Sequence, residues 1–277
     1  MGTDKIVDKI QQLRDLKSEG VDFLDLPTRD RAESLELLDS FPIRLPKRDY
    51  QKFINGFPAE YLVRTRRRDL IKHYLLYRGF REQGLITLLS RKNHDEWFLT
   101  LISPDHPFLF SQVTGLLASR GMDILMAEAF THRDKFALDH FTFVDRQKRL
   151  RNEDDRKNFQ SILESYLGTD SLPEDLLPAE KEFEPFGDGE VTIDLMNLKD
   201  MGQTAVSIEC PDRHGLLFRI STTLSRMEVS INSAFIETSQ NLAHDIFLVT
   251  RGGKPIPEES HSILAAELKN QLTTKSV

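Results

Sequence analysis

The chain has 277 residues, 39% of them hydrophobic and 29% charged, with a formal charge of −7; it can bury two or three small cores and offers no global attraction for nucleic acid. Its apolar runs are a handful of residues long, against the roughly 20 that span a bilayer, and MGTDKIVDKI contains no apolar signal region, so no membrane partner is expected and a cytoplasmic location is. The lone Cys210 excludes an internal disulfide framework and any thiolate metal site.

The spacing of Ile6, Ile10 and Leu13 predicts a first helix, and Leu35, Leu37, Leu38 and Phe41 a second, capped by Thr28 or Asp30. Pro42, Leu45 and Pro46 break the pattern; Tyr50, Phe53 and Ile54 then begin a short helix that stops at Gly56. Leu70, His73, Tyr74 and Tyr77 lie about one turn apart in a longer helix, with Gly84 just beyond it. Residues 1–84 therefore read as a helical arm. Its basic stretch, Arg64, Arg66, Arg67, Arg68, Lys72, Arg78 and Arg81, reads as a solvated helix face, because no aromatic platform accompanies it, and nucleic acid is not an expected partner.

The period then changes from helical to extended. LITLLSR (85–91) and EWFLTLI (96–102) flank the polar turn Lys92 to Asp95 and predict a hairpin. A first folded unit is expected over 85–168, a linker over the acidic, Pro-rich 169–190, and a second unit over 191–277.

The two units repeat one another. A shift of 107 positions aligns Pro104-Asp105 with Pro211-Asp212, Leu109 with Leu216, Leu117 with Leu224, Ile124 with Ile231, Ala127 with Ala234 and Thr131 with Thr238. After one deletion, placed at a turn, Ala137, Asp139 and Phe141 meet Ala243, Asp245 and Phe247. Each copy runs strand, turn, helix, strand, strand, helix. The first helix of the second copy carries Leu216, Ile220, Leu224 and Met227; the closing helices carry Phe159, Ile162, Leu163 and Tyr166 in one copy and Ile263, Leu264, Leu268 and Leu272 in the other. With a further strand from LITLLSR or VTIDLMN, the expected class is α+β: a ferredoxin-like antiparallel sheet with helices on one face.

The pieces CPDRHGLLFRISTTLSRMEVSINSAFIET and AHDIFLV resemble an ACT domain, whose usual turn reads Asp-Arg-Pro-Gly-Leu. GFPAEYLVRT, through Phe57, Pro58, Tyr61, Leu62 and Thr65, is similar to the segment before the paired ACT domains of the bacterial PII uridylyltransferase/uridylyl-removing enzyme family. The resemblance covers about residues 50–275. It implies the regulatory part of such an enzyme, which senses glutamine and controls modification of the PII protein. No Gly-rich nucleotidyltransferase loop with Asp-x-Asp occurs, and the His94-Asp95 and His244-Asp245 pairs fall in a turn and a strand and read as structural. No enzymatic activity, cofactor or metal is expected.

A tight turn at a helix N-terminus leaves backbone N–H groups and partial positive charge to receive a carboxylate, such as that of an amino acid. Asp212, Arg213, His214, Gly215 and Leu216 retain the family's turn, with His214 in place of Pro, and Gly215 lets a ligand approach the backbone. Asp212 either receives a ligand ammonium or caps the helix. The first copy keeps Asp105, His106 and Pro107 but has Phe108 where Gly is expected, so its pocket is expected closed or altered. By family analogy the opening of the next strand also faces ligand: Asp123 in the first copy, Ser230, Ile231 and Asn232 in the second.

Two readings follow. In the first, the tandem repeats sense an amino acid, glutamine by family analogy, and pass the signal to a PII-type or other protein partner. In the alternative, degenerate repeats serve only for protein interaction and self-association through strand edges.

Overall fold

The computed structural model describes residues 46–167, 190–239 and 241–273. The helices expected around Ile6 and Leu35, and all but the last residue of the 169–190 linker, lie outside the described residues. The described chain groups into two compact units. One holds 46–86 with 102–104 and 130–138; the other holds 87–101, 105–129 and the described residues from 139 onward.

The first unit contains helices α1 (Lys47–Gly56), α2 (Ala59–Arg64) and α3 (Arg67–Gln83). Its core is aromatic: Tyr50, Phe53, Phe57, Tyr61 and Tyr74 are each at most 2% exposed. Phe57 stacks on Tyr61 with centroids 4.1 Å apart, and Tyr50 meets Tyr74 edge-on at 5.2 Å; such pairs add about 0.5–1.5 kcal/mol each to plain burial. Gly56 does more than stop a helix. A Cβ there would lie 1.6 Å from His132 Nε2, so glycine is required for the imidazole to reach Phe53, whose carbonyl accepts from Nε2 at 3.1 Å. The Asp134 N–H donates to Nδ1, which fixes the neutral Nε2–H tautomer, and burial lowers the His132 pKa in the same sense. The basic stretch is not uniformly solvated: Arg67 is 6% exposed and Arg81 pairs with Asp49 at 3.1 Å. Gly84, at φ 79°, closes α3 with its N–H on Phe80 O.

In chain order the remaining elements are β1 (Ile86–Arg91), β2 (Glu96–Pro104), α4 (Leu109–Ser119), β3 (Asp123–His132), β4 (Phe136–Val144) and α5 (Glu153–Leu167). The second copy follows with β5 (Thr192–Leu198), β6 (Gln203–Pro211), α6 (Leu216–Arg226), β7 (Ser230–Phe235), β8 (Thr238–Ser239), β9 (Leu242–Thr250) and α7 (His261–Thr273). The described strands form a nine-stranded antiparallel sheet in the order β1-β2-β4-β3-β7-β9-β6-β5, with β8 on β9. The additional strand thus precedes each copy and takes the outer edge beside its β2 or β6.

Alternation on the strands sets the helix-facing core. Val206 pairs with Phe247, Ile208 with Asp245 and Cys210 with Ala243, all at most 1% exposed. Helices α4 and α6 pack together, flanked by α5 and α7. At their crossing Thr114 Oγ1 lies 3.3 Å from Ser221 Oγ, two residues separated by the repeat offset of 107. The closing helix α7 buries Leu264, Leu268 and Leu272, one residue per turn. Ile263, expected beside them, is 63% exposed, because a stripe at i, i+4 and i+8 leaves its neighbour on the far face.

Candidate ligand site

Strand β6 ends at Pro211, and the chain turns through Asp212 to Gly215 before α6 begins at Leu216. Gly215 takes φ 77°, ψ 4° as the N-cap residue, a left-handed step that glycine adopts without penalty. Gly215 brings no side chain of its own to cap the helix, and the first residues of α6, Leu216 to Phe218, line the space the turn encloses. Asp212 does not fill the role of helix cap. Its carboxylate stands instead near the Arg213 N–H and the Thr238 hydroxyl, which act to lower its pKa.

The turn encloses a cavity of about 60 Å³ lined by Asp212 to Phe218, Thr238, Ala243 and Asp245, and by Thr114, Ala118, Met122, Asp123 and Ile124 of the first copy. Both copies build it, since α4 packs against α6 and β3 neighbours β7. This is far below the roughly 300–1,000 Å³ of drug-sized pockets and amounts to the share of about two waters, so a larger ligand enters only as the turn opens.

His214 joins the copies. Its Nε2–H donates to the Ala118 carbonyl at 2.8 Å, while Nδ1 lies 3.5 Å from Asp123 Oδ1. Hydrogen bonds from His214 first, and then Arg146, hold the Asp123 carboxyl below its usual range, outweighing the partial burial that acts the other way. Asp212 shows the reverse: burial raises its carboxyl, the nearby Asp123 charge adds to this, and the Arg213 N–H and Thr238 hydroxyl oppose it. Asp245 is 1% exposed on the same wall. Burial, followed by the charges of Asp245, Asp212 and Glu209, pushes the Cys210 thiol up to about 12, so it is not a nucleophile. The cavity therefore offers a helix N-terminus to an anion and carboxylates to a cation, a pairing that fits a zwitterion.

Of the residues singled out in the sequence, Asp212, Arg213, His214, Gly215, Leu216 and Asp123 line this cavity. Ser230, Ile231 and Asn232 do not. Ser230 and Ile231 pair with Thr250 and Val249 in the sheet, and Asn232 Oδ1 accepts from the Thr250 hydroxyl at a register irregularity. The turn of the second copy meets the strand opening of the first copy, which is why Asp123 is present and its counterpart Ser230 is not. Asp105 and His106 are also elsewhere: Asp105 is exposed, and His106 contacts the Pro107 and Leu167 carbonyls through its two ring nitrogens. Asp245, Thr238 and Met122 are lining residues that sequence reasoning missed. Asp245 had a visible signal, a carboxylate on the otherwise apolar face Ala243, Phe247 and Val249.

Residues 204–259 match the family model of the ACT domain. The chain is 35% identical over 159 residues to the bifunctional uridylyltransferase/uridylyl-removing enzyme of Nitrobacter winogradskyi, a stretch covering 55% of this chain and 17% of that enzyme. Against the enzyme of the same name from Acinetobacter baumannii it is 25% identical over 238 residues, 82% of this chain and 26% of the relative. The chain thus spans about a quarter or less of the curated relatives it matches. An aspartate kinase from Synechocystis overlaps 65% of this chain and 27% of its own at 16% identity, with a TM-score of 0.39. Among the described residues no helix is long and apolar enough to cross a membrane. The chain thus carries an ACT-domain match at 204–259, and more of it is similar to a part of the bifunctional uridylyltransferase/uridylyl-removing enzymes.

Proposed function

We propose that this chain, which carries an ACT domain and is similar to part of the bifunctional uridylyltransferase/uridylyl-removing enzymes, is a non-catalytic sensor of a free amino acid, with glutamine the first candidate by that relationship. The carrying observation is the cavity at the Gly215 turn, closed by Asp123 from the other copy. In this reading the ligand carboxylate sits on the first-turn N–H groups of α6. Its ammonium lies against Asp212 and Asp245. Ligand contacts made to both copies favour one arrangement of the repeats over others, and that preference is what a PII-type or other protein partner reads. Isothermal titration of the full chain with each of the twenty amino acids tests it. Saturable heat from one or a few is expected; no heat from any at millimolar concentration removes the sensing reading.

A second reading is a ligand-free interaction and self-association module. Phe108 favours it, since a bulky residue occupies the left-handed position of the first turn at φ 65°. Gly215→Phe separates the two: sensing requires amino-acid heat to vanish, whereas pure assembly leaves the oligomeric state in sedimentation unchanged and shows no heat in the parent chain.

A further inference from the structure

The segment that joins β4 to α5 carries Arg146, Lys148, Arg149 and Arg151 in a chain of net charge −7. Asp145, 3% exposed, anchors it: its carboxylate accepts from the Arg149 and Leu150 N–H groups at 2.9 and 2.8 Å, and its own N–H donates to Asp95 O. The segment forms one side of a cavity of about 330 Å³ whose other lining includes Arg120 and Met122, just after α4. Met122, Leu150 and Phe159 give it an apolar lining, each at most 4% exposed.

Four cations line this cavity: Arg120, Lys148, Arg149 and Arg151. Among the described residues none is ion-paired. Arg149 donates through Nε and Nη2 to the neutral Gln147 Oε1, and Arg151 Nε donates to the Lys148 carbonyl. Cations nearby are neutralised, Arg146 by Asp123, Lys157 by Glu153 and Lys92 by Glu96. With Asp155 as the acidic residue in the lining, four positive charges less one negative leave +3. The arrangement is held in place. Gly121 has φ 65°, and a Cβ there would lie 2.4 Å from Gln147 Nε2, so the turn after α4 packs against the side chain that orients Arg149.

We propose that this cavity binds a small metabolite bearing a pyrophosphate or triphosphate group. Guanidinium forks match phosphate oxygens in pairs, and a monocarboxylate leaves most of the +3 unbalanced, whereas a polyphosphate neutralises it. The volume falls at the lower end of small-molecule sites. The site is separate from the zwitterion cavity, with Met122 lining both.

Titration of the full chain with inorganic pyrophosphate and with ATP is the test. Saturable binding is expected for at least one of them, weakening several-fold as salt rises from about 50 to 200 mM. Lys148→Asn with Arg149→Ala, asparagine being chosen because residue 148 sits at φ 53°, should weaken it about tenfold or more. Arg120→Ala, on the other side, should weaken it by about threefold to tenfold, and it alone decides if circular dichroism shows the double variant unfolded. Amino-acid binding should persist in the variants, which keeps this test independent of the sensing reading. No binding of either probe up to about 5 mM, equal affinity in parent and variants, or affinity only for an oligonucleotide would overturn the proposal.

Discussion

The two Pro-Asp turns share a backbone and differ in what they enclose. Phe108 stands at φ 65°, ψ 0° and Gly215 at φ 77°, ψ 4°, each at the N-cap of the first helix of its copy. The strand-to-helix connection dictates that left-handed step whichever residue occupies it, and a residue with a Cβ meets it at a cost of about 1–2 kcal/mol. The turn is therefore shared as architecture, while only one copy has the glycine that allows close approach. The same asymmetry runs through the helix pair. Phe218 packs on Gly115, where a Cβ would lie 2.8 Å from the ring. The positions one repeat away are Ser111 and Thr222, whose buried hydroxyls make no hydrogen bond among the described residues.

The largest effect should come from that helix pair. Phe218→Ala, at a site 4% exposed, should cost about 3–5 kcal/mol, measured by urea denaturation. Ser111→Ala at the mirrored position removes a buried hydroxyl without a partner and should be neutral or slightly stabilising. Equal losses at both sites would mean that the two halves of the interface are energetically alike and the asymmetry is superficial.

Exchanging the turn residues acts next. Gly215→Phe should lose about 1–2 kcal/mol from the left-handed backbone and abolish amino-acid binding. Phe108→Gly relieves the same strain but gives up a half-buried ring, so a change within about 1 kcal/mol is expected. A gain of amino-acid binding sites in Phe108→Gly would show that the first turn lacks only its glycine; no gain points instead to the strand opening, where Ser230 stands in place of Asp123.

The repeat made the fold legible, because Pro104-Asp105 and Pro211-Asp212, followed by matched apolar positions, give the element order of both copies. Of the cavity, the turn Asp212 to Leu216 was legible, and most of the other lining residues were not. Asp123 was legible as a ligand-facing strand opening, but only for its own copy: pairing each turn with its own repeat directs attention to Ser230 and Asn232, whereas α4 against α6 brings Asp123, from about 90 residues upstream of the turn, to His214. Gly56 was legible as a helix end, but the imidazole that requires it comes from β3, and no local pattern announces that. Ile263 was misjudged because four adjacent apolar positions do not say which stripe faces inward.

The smallest effect tests the bridge between copies. With the folded pKa of Asp123 depressed, its contribution is fully present above the unfolded value near 4 and is lost as pH falls through the folded value, because the unfolded chain takes up its proton first. His214→Ala removes the leading cause of that depression, so stability should fall less steeply on the acid side. The side chains are 41% and 37% exposed, and solvent screening limits the difference to about 0.2–1 kcal/mol. Denaturation midpoints compared between about pH 3 and 6 read this directly, and Arg146→Ala should shift them in the same sense, since Arg146 also lowers the Asp123 carboxyl. Identical acid slopes in the parent chain and in His214→Ala would mean that the imidazole does not hold the Asp123 charge. The two copies would then meet at the cavity through packing alone, and the first copy would contribute shape to the site without electrostatics.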